Sequence, residues 1–275
     1  MLEETRGTHL EKFRKYGSDP FRVAVIHGGP GAAGSVAPIA QKLGETRGVL
    51  EPLQTAKSLD GQVEELQRVV EQNATIPVVL IGHSWGAWLS SLVTAKYPEL
   101  VRKLILVGSG PFEEKYVQVI AENRLRRLSQ DEKEEFLYIV DLLNKSEIPD
   151  SHVSLSRLGE LARKTDSYDP IEIPEDTNAL DFIDNSGEIY QGVWPQAARL
   201  RQTGELLRLA ATITCPVLAI HGDIDPHPAE GIREPLAANV KDFRMIMLEK
   251  CGHDPWCERH AMDTFYEILE HELSI

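Results

Sequence analysis

The chain of 275 residues is long enough for one large domain with its own apolar core, or for a core interrupted by an insertion. At 42% hydrophobic, 26% charged and 7% aromatic it has the balance of an ordinary globular protein, so disordered and fibrous classes fall away. The formal charge of −14 excludes a general affinity for nucleic acid, whose phosphates demand a basic face, and leaves the substrate open.

The first residues, MLEETRGTHLEKFRKYG, contain no apolar run and read as neither a signal peptide nor a clear strand. Nowhere does the chain approach the ~20 apolar residues of a membrane span, so no membrane partner and a cytoplasmic location are the expectations. Phe21–Ile26 (FRVAVI) is uniformly apolar and β-branched, as in a strand covered on both faces. It runs straight into His27-Gly28-Gly29-Pro30-Gly31. A helix is predicted over Ser35–Gly44. Gly48–Leu53 is a weaker strand, where Pro52 argues for an edge position or an early end.

A helix over Ser58–Glu71 precedes the strand Ile76–Ile81, which ends in Gly82-His83-Ser84-Trp85-Gly86 before the helix Trp85–Lys96. Ser84 at that corner is either an ordinary helix cap or a nucleophile held out for attack. The sequence fits G-x-S-x-G in its required strand–turn–helix context, the nucleophile elbow, with Gly82 and Gly86 where neighbouring chains approach closely. The helix N-terminus behind it directs free N–H groups and a positive dipole end at the reaction centre. Acyl transfer needs two such donors for its oxyanion. The backbone amides of Gly29 and Trp85 are the expected pair, with Gly28 letting the main chain approach. A phosphate cradle is a poor alternative, since neither G-x-x-x-x-G-K-[ST] nor G-x-G-x-x-G is present.

After the strand Lys103–Val107 the strand–helix alternation stops, from about Pro111 to Ala210. Helical spacing over Glu113–Lys145, a polar stretch around Asp166–Asn178, and helical spacing again over Trp194–Leu209 read as a helical cap inserted at 111–210 of a core made of 1–110 and 211–275. Alternation resumes with the strand Pro216–Ile220, the helix Ala229–Asn239, the strand Phe243–Leu248 and the helix Glu258–His271. The fold class is therefore α/β, a doubly wound, mostly parallel sheet with an inserted helical cap.

A serine alcohol needs a base, and the base needs an orienting acid. His253, in Cys251-Gly252-His253-Asp254-Pro255-Trp256, follows the last strand at the carboxyl end of the sheet, where ligand groups of open α/β sheets gather. Asp225, in His221-Gly222-Asp223-Ile224-Asp225-Pro226, follows the preceding strand at the same end, with Asp223 as its competitor. The plain alternatives are a loop-capping histidine and an Asx turn. Cys215, Cys251 and Cys257 cannot form a disulfide framework, and Cys251, His253 and Cys257 offer too few ligands at zinc spacing, so neither metal nor cofactor is expected.

Taken together, HGGPG, GHSWG, HGDID and CGHDPW resemble the α/β-hydrolase fold family over nearly the whole chain, in the order Ser84, Asp225, His253. HGGPG with a Ser-Trp-Gly elbow is similar to the proline iminopeptidase branch, which carries a helical cap. That resemblance implies a serine hydrolase acting on a small-molecule ester, thioester or amide, with an aminopeptidase of short peptides as the alternative. In that branch cap acids hold the substrate amine. Residues 111–210 carry 20 Asp and Glu against 12 Lys and Arg, and Glu113 and Glu114 are the acids singled out there. Two departures stand out: residues 1–20 show no clear sign of the usual antiparallel strand pair, and the elbow has His83 where the branch commonly has Gly. A hydrolase-fold receptor that binds a small ligand with little turnover is the reading from another class.

Overall fold

The structure is a computed structural model that describes residues 12–145, 151–172 and 186–274. A seven-stranded sheet runs in the order β1-β3-β2-β4-β5-β6-β7, from β1 (Phe13–Tyr16), β2 (Phe21–Ile26), β3 (Gly48–Pro52), β4 (Val78–His83), β5 (Val101–Val107), β6 (Val217–Gly222) and β7 (Phe243–Leu248). All neighbours are parallel except β1, which pairs antiparallel with β3.

The strands from β2 to β6 are buried on both faces except at a few terminal residues, which explains their unbroken apolar runs. Helices α2 (Leu59–Asn73), α3 (Trp85–Lys96) and α9 (Glu230–Asn239) close one core over Leu80, Leu104 and Ala219. Helices α1 (Ala37–Gly44) and α10 (Met262–Ser274) close the other over Val79, Ile105 and Leu218. α3 is buried nearly all round, as a helix at the centre of the molecule must be.

Two sequence expectations change at the sheet margin. Pro52 ends β3, but β3 is not an edge: β1 covers it, with Phe13 opposite Pro52 and Tyr16 opposite Val49. β1 is legible only afterwards, because FRKY is short and half charged, as suits an edge that must not recruit further strands. At the other end, the last helix starts at Met262 rather than Glu258, whose carboxylate is spent elsewhere.

Between β5 and β6 lie α4 (Val117–Arg126), α5 (Gln130–Lys145), α6 (Ser151–Asp166), α7 (Ser186–Gln202) and α8 (Glu205–Ala210). The single helical pattern over Glu113–Lys145 breaks at Arg127–Ser129, and the later one breaks at Gly204, which takes φ 77°. These helices are of two kinds. Leu128, Phe136, Ile139 and Leu161 form a small core of their own, whereas Ile189, Val193, Ala197, Leu206 and Ala210 join the main core beside α3. Among the described residues no helix is long and apolar enough to cross a membrane.

Candidate active site

Ser84 stands between β4 and α3 at φ 52°, ψ −114°, a conformation that strains any residue with a Cβ by about 1–3 kcal/mol. Its hydroxyl makes no capping bond to α3, so a cap is not what the serine supplies. Ser84 N–H donates to the Val107 carbonyl at 2.9 Å, pinning the elbow to β5. The flanking glycines are required by contact. A Cβ on Gly82 would lie 2.2 Å from the Gly86 carbonyl oxygen, and one on Gly86 would lie 2.4 Å from that of Ile26.

The loop after β2 runs beside the elbow: a Cβ on Gly28 would come within 3.2 Å of Ser84 Cβ, and Gly29 has φ 98°. Trp85 opens α3, where its N–H has no acceptor within the helix. The indole of Trp85 is buried and donates from Nε1 to Gln62 Oε1 at 3.1 Å, which fixes the residue whose backbone faces the elbow.

The candidate acid and the candidate base are brought together by the loops after β6 and β7. His253 Nδ1 lies 2.8 Å from Asp225 Oδ2, both groups buried. Asp223 is elsewhere engaged: its Oδ1 accepts from Cys251 N–H at 3.0 Å and so ties the loop after β6 to the loop carrying His253. Asp225 also makes the Asx-type bond, with Oδ1 accepting from His227 N–H at 2.9 Å. Burial alone would raise the Asp225 pKa, but His253, His221 and His227 hold it well below the ordinary carboxylate range. Burial would lower the His253 pKa; Asp225, with Asp254 and Asp166 behind it, raises it instead.

Several residues around the Asp225–His253 pair were given no role at the site in the sequence reading. His227 Nδ1 is 2.7 Å from Asp225 Oδ1, and its ring stacks on His253 with centroids 4.6 Å apart. His83 packs between His253 and Trp256 and reaches Asp254 Oδ1 with Nε2 at 3.0 Å. Glu258, buried, accepts from the backbone N–H of Tyr168, Asp169 and Gly252, stitching the stretch just after α6 to the histidine loop. Their sequence signal was position alone: His227 just after HGDID, His83 inside GHSWG, and Glu258 just after CGHDPW.

The insertion meets this site through Asp166. Its backbone carbonyl accepts from His253 N–H at 2.7 Å, and its carboxylate pairs with Arg124 at 2.9 Å (Nε) and 2.5 Å (Nη2). By contrast, Glu114 pairs with Arg201 at 2.8 Å and Glu113 with Lys115 at 2.9 Å; no described contact joins either to Ser84, Asp225 or His253. Replacing Arg124 by Met strands the Asp166 charge where only 8% of its side chain is exposed. We expect a loss of about 2–3 kcal/mol, below the range for a fully buried pair because Arg124 is itself 22% exposed. Thermal denaturation should show it as a fall of roughly 5–10 °C, with Arg124→Met/Asp166→Asn recovering much of the loss.

Among the described residues, two groupings bring three metal-capable side chains together, His83 with His253 and Asp254, and Asp225 with His227 and His253. Neither contains Cys251 or Cys257.

Comparison with known proteins identifies the family and the fold. The model of the alpha/beta hydrolase family matches residues 23–267. No curated protein matches significantly. Among solved structures, VinJ superposes with a TM-score of 0.72 at 20% identity, over 95% of this chain and 94% of that one. Proline iminopeptidase from Mycobacterium smegmatis gives 0.65 at 17% identity, over 95% and 93%. A putative lipase from Acinetobacter baumannii AYE gives 0.63 at 19%, over 94% and 87%. At these identities the likenesses establish the fold, while the family model spans most of the sequence. The chain belongs to the alpha/beta hydrolase family and is a hydrolase.

Proposed function

We propose that the protein is a cofactor-independent serine hydrolase that cleaves a small-molecule ester, thioester or amide. The observation that carries this reading is the strained Ser84 elbow at the same end of the sheet as the buried Asp225–His253 pair. His253 Nε2 takes the Ser84 proton as Oγ attacks the carbonyl carbon. Asp225 fixes the tautomer with Nδ1 protonated and stabilises the imidazolium. The amides of Gly29 and Trp85, with the N-terminus of α3 behind them, stabilise the tetrahedral oxyanion. Its collapse expels the leaving group, protonated by His253. A water activated by His253 then hydrolyses the acyl-enzyme.

An iminopeptidase-like activity is the second reading, favoured by HGGPG, the Ser-Trp-Gly elbow and the structural likeness to the mycobacterial enzyme. It needs a cap acid free to hold an ammonium group. Asp166, the cap acid at the triad, is already neutralised by Arg124, and Glu113 and Glu114 carry cations of their own.

Paired p-nitrophenyl esters and aminoacyl nitroanilides test both readings in one assay format. Ester turnover is expected, with similar rates on a prolyl or alanyl nitroanilide and its N-acetyl form. A roughly ten- to hundredfold preference for the free amine, lost on neutralising Glu113 or Glu114, would establish the aminopeptidase. Tight binding of a small ligand with no turnover of any ester or amide would establish a receptor instead.

Catalysis is expected to proceed without a metal. The distances from Asp225 to His227 and His253, 2.7 and 2.8 Å, are hydrogen-bond lengths. A tetrahedral ion with bonds of ~2.0–2.1 Å would hold its ligands about 3.3 Å apart. Dialysis against EDTA should leave turnover unchanged; loss restored by one added metal would contradict this.

A further inference from the structure

The catalytic acid of this chain carries two imidazoles, and only one of them belongs to the triad. His227 donates twice to Asp225 Oδ1, from its backbone N–H at 2.9 Å and from Nδ1 at 2.7 Å. His253 Nδ1 holds the other oxygen, Oδ2, at 2.8 Å. The two rings lie nearly parallel, 27° apart, each addressing one oxygen of the same carboxylate. His221 stands behind them: its Nε2 donates to the His227 carbonyl at 2.8 Å and lies 3.6 Å from Asp225 Oδ2, within reach of a slight turn of the carboxylate.

We infer that His227 is a positioning residue, which anchors Asp225 Oδ1 so that Oδ2 stays aimed at His253 and not at His221. The inference rests on the serine-hydrolase reading for its consequence in turnover, but not for its geometry. With Oδ1 held less firmly, Oδ2 can share itself between His253 at 2.8 Å and His221, the competing ring at 3.6 Å, and its bond to His253 weakens. The backbone N–H already opposes rotation of the carboxylate about Cβ–Cγ; the ring Nδ1–H adds a second, charge-assisted bond to the same oxygen and so stiffens the hold. Stacking of His227 on His253 adds contact but no direction, so a ring without donors should not substitute. Asp254, Asp166 and His83 also face His253, and none of them is bonded to Asp225.

The test compares His227→Phe, which keeps a ring and loses the donor, with His227→Asn, whose side-chain N–H₂ can take the place of Nδ1–H. Turnover of a p-nitrophenyl ester is followed alongside NMR titration of ¹⁵N-histidine-labelled protein, and thermal denaturation reports folding. In His227→Phe we expect kcat to fall roughly tenfold to a hundredfold, the range of a charge-assisted hydrogen bond, with little change in KM. The His253 titration should move down toward an ordinary histidine as Oδ2 turns to His221. His227→Asn should return both most of the way. An unchanged or upward-moved His253 titration with kcat within about threefold of wild type would overturn the inference. So would a wild-type spectrum in which His227 Nδ1 bears no proton, a measurement that needs no variant to fold. Because the titration requires no turnover, absence of hydrolysis of every ester and amide by the wild type would sink the serine-hydrolase reading while leaving this one decided by the spectra.

Discussion

Replacing Ser84 by Ala is expected to abolish ester turnover and the single labelling of the protein by a fluorophosphonate, while leaving its stability almost unchanged. Loss of a serine nucleophile costs on the order of 10⁶ in kcat where it has been dissected, because the remaining base and acid have nothing to activate. Stability should not follow activity. Alanine carries the same Cβ into φ 52°, ψ −114°, so the strain is retained, and the hydroxyl held no capping bond whose loss would count. Ser84→Gly should instead relieve the strain and stabilise the protein modestly, by less than the ~1–3 kcal/mol stored there, because glycine also gains freedom in the unfolded chain. Equal labelling in Ser84→Ala and wild type would mean that another residue is the nucleophile.

What made Ser84 legible was a local conflict in the sequence. A strand that is apolar on both faces has no reason to end in Gly-His-Ser-Trp-Gly unless the backbone must turn sharply and pass close to its neighbours, and the contacts at Gly82 and Gly86 are those near-collisions. The sheet was legible for a similar reason: strands buried on two faces read as continuous apolar runs, whatever their neighbours. β1 was not, because an exposed edge strand owes its conformation to a partner, β3, that lies more than thirty residues away. Nor were the partners of the insertion. Glu113, Glu114 and Asp166 are alike in sequence, and only packing determines that the first two meet Lys115 and Arg201 while the third meets Arg124 beside His253. Charge count marked residues 111–210 as acidic without placing any one of their acids.

The choice between the two aspartates of HGDID gives the second large effect, and the structure supplies its mechanism. Asp225→Asn is expected to lower kcat by several orders of magnitude, on the order of the ~10⁴ measured for the corresponding change in a serine protease. Asp223→Asn should stay within a few fold of wild type. In Asp225→Asn the two donors of His227 select the carboxamide oxygen for the Oδ1 position, since the amide nitrogen cannot accept from either. The amide N–H₂ is thereby turned to His253, and Nδ1 must accept where it formerly donated. The proton of the neutral ring then sits on Nε2, facing Ser84, and the base can no longer take the serine proton. At Asp223 the same replacement is mild, because Oδ1 there only accepts from Cys251 N–H at 3.0 Å, a role a carboxamide oxygen performs as well. Steady-state kinetics on a p-nitrophenyl ester, with thermal denaturation to confirm that both variants fold, separates the two. The reverse ranking would transfer the triad acid to Asp223. Equal small losses would leave His253 working without a dedicated acid, which its buried contact with Asp225 makes the least expected result.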